Sequence, residues 1–399
     1  MKKKKILIMM RSMDIGGVER SLLGLINIFD YKNYEVSLML LHHQGQFLKD
    51  IPKEVNLLPE STSYSIYDVP IKSLIFSKRF IYGIARILSK IELSLYCMLT
   101  NTKKDAWIKQ QFTHKYLKPL MPDINGKYDL AINYLGFSDI LVSKVQADVK
   151  VGWVHTDYNH IVAHKKMDID IYSKLDIIAN ISDGCKSAFL EHYPQFDKKA
   201  VIVENILSKE LIVSLSKKFD VDVEMPIDDS LKLLSIGRFA RAKNFDNIPE
   251  ICKNILSSGI KVKWYIIGYG GDENLIKQKI KEFGMQDKVV ILGKKENPYP
   301  YIKACDFYIH PSRFEGKAVT PREAQILNKP TIITNFKIAP CQLIDGIDGV
   351  IVPLDNKGCA NGIIEFINDQ KKINMIINNT KKRDYTNKEE IQKIYSFIK

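Results

Sequence analysis

Short apolar runs alternate with amphipathic stretches along the whole chain, and the period of each run predicts its element. Lys5–Met10, Tyr34–Leu41, Asp129–Tyr134, Lys150–Val154, Asp176–Asn180 and Lys199–Val203 read as short strands, with helical stretches between many of them. Lys209 to Ser230 is rich in lysine and aspartate and poor in pattern, and reads as a linker. A second alternation follows. Leu231–Ile236, Lys261–Ile267, Lys288–Leu292, Phe307–Ile309, Thr331–Ile333 and Val350–Val352 read as strands, with Ile248–Ser257, Glu273–Phe283 and Arg322–Leu327 as helices among them. The pattern predicts an α/β protein of two doubly wound Rossmann-like domains facing across a cleft. The first spans 1–208, the linker 209–230, the second 231–378, and a polar tail runs over 379–399 to a helical Ile391–Ile398. Ligands of such folds bind outside the carboxyl ends of the strands.

The length of 399 residues and a hydrophobic content of 45% suit two or three buried cores. The six cysteines lie far apart without a paired C-x-x-C, which indicates neither a disulfide framework nor a zinc ribbon and suits a reducing compartment. The basic run Lys2 to Lys5 is followed by an apolar stretch too short for a signal-peptide core, and no segment is long and apolar enough to span a bilayer.

A formal net charge of +13 calls for a partner: nucleic acid, an anionic membrane surface or an anionic substrate. Between Pro70 and Lys118 ten basic residues stand against Glu92 and Asp105, and Ile75, Phe76, Phe80, Ile81, Ile84, Ile87, Leu88, Ile91 and Leu95 recur at spacings of three and four. This reads as a basic amphipathic helix or helix pair inserted at about 60–127. It suits a membrane headgroup region, and equally an ordinary helix packed on its own domain. No aromatic-basic RNA motif or DNA-binding element occurs, so nucleic acid is not an expected partner.

The chemistry concentrates in Tyr308 to Ala324. A strand reaches a polar turn, and Thr320-Pro321-Arg322-Glu323 opens a helix with threonine at the cap, proline at its first position and glutamate at its third. Backbone amides gather there with the helix dipole behind them, a site suited to a diphosphate, while Glu315 and Glu323 bracket them. A reciprocal capping box with a solvated Glu315 explains the same residues. The segment S-R-F-E-G-K-A-V-T-P-R-E-A, with two glutamates eight positions apart, resembles the signature of family-4 retaining glycosyltransferases of the GT-B fold. The E-G-K variant is similar to enzymes that build bacterial capsular, lipopolysaccharide and other surface polysaccharides. Such proteins commonly return a final helix to the first domain, and the tail here suits that.

The resemblance extends to weaker motifs. Gly237-Arg238 followed by Lys243 resembles the segment whose cations grip the donor diphosphate, where fixed positive charge stabilises the leaving group without a metal; a solvated loop is the plain alternative. His155 ends the run Lys150–Val154 and is similar to the histidine that sits beside the transferred sugar, or is structural. Gly16-Gly17, before Glu19, matches the G-G-x-E opening that approaches the donor, or forms a tight turn. Gly268-Tyr269-Gly270-Gly271 lacks a full dinucleotide fingerprint and reads as a turn after a strand. By resemblance, Lys294 and Lys295 lie where the base edge is read. Gly316 and the amides of Lys317, Ala318, Val319 and Thr320 face the diphosphate, Glu323 takes the ribose, and Glu315 takes the sugar. Asp168-Ile-Asp170 and Asp220-Val-Asp222 read as solvated acids, and His155, His160 and His164 do not make a zinc signature, so neither a metal nor a cofactor is expected.

These readings imply a cytoplasmic enzyme on the inner face of the membrane. It would transfer a sugar, with retention, from a uridine diphosphate donor to a saccharide or lipid-linked saccharide. The alternatives are an epimerase or phosphorylase of the same build, or a sugar-nucleotide-binding assembly protein without turnover.

Overall fold

The computed structural model describes residues 3–136 and 138–398, so Lys2 of the basic run lies outside the described residues. The chain divides into two units, Met1–Glu204 with Glu389–Lys399, and Asn205–Lys388.

The first unit is wound on a parallel seven-stranded sheet. Its strands are β1 (Lys4–Met10), β2 (Tyr34–Leu40), β3 (Asn56–Leu57), β4 (Ile124–Asn133), β5 (Val145–Val154), β6 (Ile177–Asn180) and β7 (Ala200–Ile202), in the order β3-β2-β1-β4-β5-β6-β7. Ile6 to Met10 are fully buried, because helices cover both faces of a parallel sheet and its central strands become continuous apolar runs. Ile6 sits between Val36 and Leu130 in register. β3 is two residues long, too short to announce itself in the sequence.

The second unit repeats the plan with β8 (Leu231–Ile236), β9 (Val262–Ile267), β10 (Val289–Gly293), β11 (Phe307–His310), β12 (Thr331–Thr334) and β13 (Val350–Val352), ordered β10-β9-β8-β11-β12-β13 and parallel throughout. In both units the chain reverses its direction of winding beside the first strand. The crevice therefore opens at the carboxyl ends of β1 and β4 in one unit, and of β8 and β11 in the other.

Residues 209–230, expected as a linker, are counted with the second unit. Ser208 caps the helix Lys209–Leu215 by accepting from the Leu211 amide at 3.2 Å, and Ile212, Val221 and Met225 are buried with Leu234 and Tyr301. Their irregular spacing conceals this packing in the sequence. At the other end, residues 379–388 also stay with the second unit, where Arg383 pairs with Asp348 at 2.8 Å and the Leu207 amide donates to Thr386. The last helix, Ile391–Ser396, belongs to the first unit. Ile394 is fully buried, and the Tyr395 ring stacks on Tyr34 at 4.3 Å while its hydroxyl accepts from the Asp30 amide.

The insertion forms a helical hairpin, Phe80–Thr100 against Ala106–Leu117. The first helix is built inside out. Its buried positions are Gly83, Ala85, Ser89, Leu93 and Cys97, whereas Phe80, Ile81, Ile84, Leu88, Ile91, Leu95, Met98 and Leu99 are exposed. Small residues and Leu93 make the seam while most of the large apolar ones face outward, the reverse of a helix that merely covers its own domain. Lys72, Lys78, Arg79 and Lys90 are exposed around this face, but Arg86 turns inward and donates to the carbonyls of Ile66 and Val69.

Candidate active site

At the carboxyl ends of β8 and β11 two loops are fastened together. The Arg313 amide donates to the Ala242 carbonyl at 2.7 Å, and the Arg313 guanidinium grips both oxygens of Asp246 at 2.8 Å each. This clamp brings Lys243 to Glu315. Lys243 Nζ pairs with Glu315 Oε1, which also accepts from Ser312 Oγ at 2.7 Å and His310 Nε2 at 2.9 Å. His310 is fully buried, and burial holds its pKa below the ordinary value, so the neutral ring donates. Burial alone would raise the Glu315 carboxyl, but Lys243 and His310 outweigh it and hold the group well below the usual carboxylate range.

Lys243 lies alongside Gly237, where an added Cβ would meet its methylenes at 3.2 Å. Arg238, next in the chain, is exposed. Among the described residues it forms no ion pair. Added Cβ atoms on Gly268 and Gly270 would overlap the carbonyl oxygens of Gly237 and Phe239, so the turn after β9 requires glycine to sit against the Gly237-Arg238 loop.

The helix after the Glu315 turn runs Val319–Ile326 and is capped by Ala318. The expected threonine cap is therefore displaced by two residues: Thr320 and Pro321 lie inside the first turn, and Thr320 forms no capping box with Glu323. Gly316, Lys317, Ala318 and Val319 do deliver the loop to a helix amino terminus, with Gln342 Nε2 holding the Ala318 carbonyl at 2.9 Å. Glu323 is fully buried and accepts from the Tyr299 hydroxyl at 2.9 Å. Arg322 turns away to the carbonyls of Tyr385 and Asn205.

The two lysines after β10 separate. Lys294 Nζ lies over the Tyr269 ring at 4.8 Å. Lys295 pairs with Glu224 at 2.5 Å and lies over the Tyr301 ring, so its charge ties down the 220s segment.

In the first unit a second cluster forms at the ends of β1, β4 and β5. Gly16 caps the helix Gly17–Ile26 in extended backbone, and its Cβ position is taken by the Glu19 side chain. Ser21 of that helix bonds the Tyr134 hydroxyl at 2.6 Å, and the Tyr134 ring lies 4.8 Å from His155. Gly16, Gly17 and His155 thus share one end of the sheet. Trp153 stacks on His155 at 6.1 Å. Among the described residues neither ring nitrogen of His155 has a hydrogen-bond partner of good geometry, although the Tyr134 backbone lies close enough to favour the charged ring slightly.

Burial pushes the His155 pKa from 6.5 down to about 3. A histidine depressed in the fold contributes stability above its unfolded value that is lost as pH falls from 6.5 towards 3. Lowering the pH from 7 to 5 is therefore expected to cost the wild-type protein on the order of 1–2 kcal/mol more than His155→Asn. Urea midpoints at the two pH values check this; equal acid sensitivity in both proteins would refute it.

The acids read as solvated divide. Asp170 is exposed and pairs with Lys174, but Asp168 is buried at 2% exposure. It accepts from Gln111 at 2.6 Å and Tyr193 at 2.7 Å, and burial outweighs these donors to raise its pKa. His164 caps the helix Lys165–Ser173, while His160 is exposed beside Asp157. No group of three metal-ligating side chains occurs among the described residues, and none of their helices is long and apolar enough to cross a membrane.

The parts that the motif alone did not reveal are His310, Ser312, Arg313, Asp246 and Tyr299. His310 ends β11 and Ser312 follows it, both close to Glu315 in the chain, but their convergence on one oxygen depends on side-chain directions.

Residues 217–383 match the protein family described as Glycosyl transferases group 1. The chain is 24% identical over 375 residues to the N-acetylgalactosamine-N,N'-diacetylbacillosaminyl-diphospho-undecaprenol 4-alpha-N-acetylgalactosaminyltransferase of Campylobacter jejuni, covering 92% of this chain and 91% of that one. It is 27% identical over 232 residues to the capsular polysaccharide biosynthesis glycosyltransferase CapM of Staphylococcus aureus, covering 57% and 61%. Among solved structures, Anabaena HepE in complex with UDP and glucose superimposes with a TM-score of 0.67 at 16% identity over 98% of this chain and 99% of that one. The two parallel α/β units are those of the GT-B fold.

Proposed function

We propose that this chain, with a group 1 glycosyltransferase match over residues 217–383 and the GT-B fold throughout, transfers a sugar from a uridine diphosphate donor to a saccharide acceptor in surface polysaccharide synthesis. The observation that carries the reading is the convergence of Lys243, His310 and Ser312 on one oxygen of Glu315, where the winding of the second unit reverses. A carboxylate kept ionised there can hold sugar hydroxyls. Lys243, Arg238 and the amides of residues 317–320 supply positive potential for a leaving diphosphate. Glu323, oriented by the Tyr299 hydroxyl, takes the ribose. His155 stays neutral and can accept or donate a hydrogen bond to the sugar. The work falls to side-chain cations and amides, so the reaction proceeds without a metal. Retention follows from attack on the same face the diphosphate leaves, its oxygen taking the acceptor proton. Near-wild-type activity in Arg238→Ala would count against the assignment, since losing one charge-assisted contact is expected to cost about two orders of magnitude.

The same reading places the enzyme on an anionic membrane surface in the cytoplasm, facing a lipid-linked acceptor. The hairpin supports this through its outward apolar face ringed by Lys72, Lys78, Arg79 and Lys90, a combination that complements anionic headgroups over acyl chains. The Campylobacter relative, by its name, acts on a diphospho-undecaprenol substrate.

The deciding experiment is a panel of nucleotide sugars. One UDP-sugar is expected to raise the melting temperature and to release UDP slowly alone and rapidly with acceptor. UDP release indifferent to any acceptor would favour an epimerase or phosphorylase, and stabilisation with no release an assembly protein.

A further inference from the structure

Arg322 is the charged residue of the T-P-R-E segment to which the donor reading gives no task. It lies in the helix Val319–Ile326, whose residues are all buried and which follows directly on the Glu315 turn. Burying a guanidinium is costly, and apolar side chains often replace buried charge with no loss of stability, so stability alone does not account for an arginine at 6% exposure. Its neighbour Glu323 accepts from Tyr299 on one side of the helix, and Arg322 donates on another.

Two of its hydrogen bonds reach both places where the chain passes between the units. The chain leaves the first unit after Glu204 and re-enters it at Glu389. Arg322 Nη2 donates to the Tyr385 carbonyl at 2.7 Å, shortly before the return, and Nη1 to the carbonyl of Asn205, the first residue of the second unit, at 3.4 Å. The two passages are also bonded to each other, the Leu207 amide donating to the Thr386 carbonyl at 2.9 Å. A second tie lies one turn along the same helix. Gln325 Nε2 donates to the Asp348 carbonyl at 2.9 Å, and the Asp348 carboxylate accepts from Arg383 at 2.8 Å. The return passage is thus fixed firmly to the helix, while the outward passage hangs from it by a bond about 0.5 Å longer than the ordinary length.

We propose that Arg322 is a positioning residue: it passes a displacement of the donor turn to the two passages, and so couples donor binding to the segments from which the first unit is hung. The helix is packed along its whole length, so a ligand that draws residues 316–320 towards itself moves the helix as a body. Two backbone anchors held by one rigid guanidinium fork then follow it. Lysine has the charge but not the fork. The inference rests on the donor reading for the identity of the ligand, and adds to it a residue that touches no substrate.

Hydrogen exchange followed by mass spectrometry on the full chain, with and without UDP, tests the coupling directly. In the wild type UDP is expected to slow exchange in 316–320 and also in 203–207 and 384–388. In Arg322→Met the first protection should remain and the other two should be lost. Turnover at saturating substrate should fall about tenfold or more in that variant, because small misplacements of reacting groups are that costly, with the UDP dissociation constant within about threefold of wild type. Arg322→Lys, which keeps the charge and most of the volume, should lie between the two, and it carries the test if the methionine variant does not fold. Three results each overturn the proposal: passages still protected in the variant, passages unprotected in a wild type whose 316–320 is protected, or UDP affinity and turnover falling in parallel. No protection of 316–320 in the wild type would refute the donor reading itself, and the coupling with it.

Discussion

Lys243→Ala is expected to lower turnover by two to three orders of magnitude. The lysine is fixed by the geometry around it. Its methylenes lie against Gly237, its ammonium is held by Glu315, and the loop that carries it is locked to the Glu315 turn through Arg313 and Asp246. Such a preorganised cation meets a developing negative charge without reorganisation, and losing one charge-stabilising donor of this kind costs about 3–4 kcal/mol of the barrier. A second consequence concerns the carboxylate. With Lys243 gone, Glu315 keeps only His310 and Ser312 on that oxygen, so its pKa must rise and the rate should fall at the acid end of the pH profile in Lys243→Ala but not in wild type. Lys294→Ala, which removes a cation lying over the Tyr269 ring, should cost less than tenfold. Turnover of Lys243→Ala within threefold of wild type would remove the chemical basis of the proposal.

The second large effect concerns the membrane. Replacing Ile81, Ile84, Leu88 and Ile91 together by serine is expected to weaken binding to anionic vesicles by at least a hundredfold. Each of these side chains is about half exposed, at 44–52%. Taking that much apolar surface out of water is worth on the order of 1 kcal/mol per residue, about half the value of full burial. The four together therefore account for about 3–4 kcal/mol. The inner seam of Gly83, Ala85, Ser89, Leu93 and Cys97 is left intact, so circular dichroism should not change. Replacing Lys72, Lys78, Arg79 and Lys90 by glutamine should act differently, removing roughly 1 kcal/mol each at low salt and little at high salt. Arg86 belongs in neither set, since its guanidinium is spent on the carbonyls of Ile66 and Val69. Co-sedimentation with phosphatidylglycerol vesicles decides the matter; equal binding by both variants and wild type would defeat the membrane reading.

What could be read from the residues follows from which interactions are local. The strands were legible because parallel strands buried on both faces are continuous apolar runs, as in Ile6–Met10 and Val262–Ile267. The glutamates, Lys243 and the two glycines stand out in the sequence through the motifs they resemble, and the structure brings Lys243 to Glu315 and sets the glycines at the start of the helix after β1. Side-chain commitments across the fold were not. Asp168 reads as a solvated acid until Gln111 and Tyr193, distant in the chain, are seen to donate to it. The pairing of Lys295 with Glu224, 71 residues earlier in the chain, has no local signal either. Thr320 fits a cap by spacing, yet the helix begins two residues earlier than that, with Ala318 as its cap. The packing of Val221 and Met225 has no periodicity to betray it.

The placement of the last helix has a consequence for synthesis. Tyr395 covers Tyr34 and Phe29, so a patch of the first unit is finished by residues that leave the ribosome after the whole of the second unit. At ordinary elongation rates the intervening 205–388 takes roughly 10–40 s to translate. Throughout that interval the nascent first unit carries an uncovered aromatic notch, which closes only after Tyr395 has followed the second unit out of the ribosome.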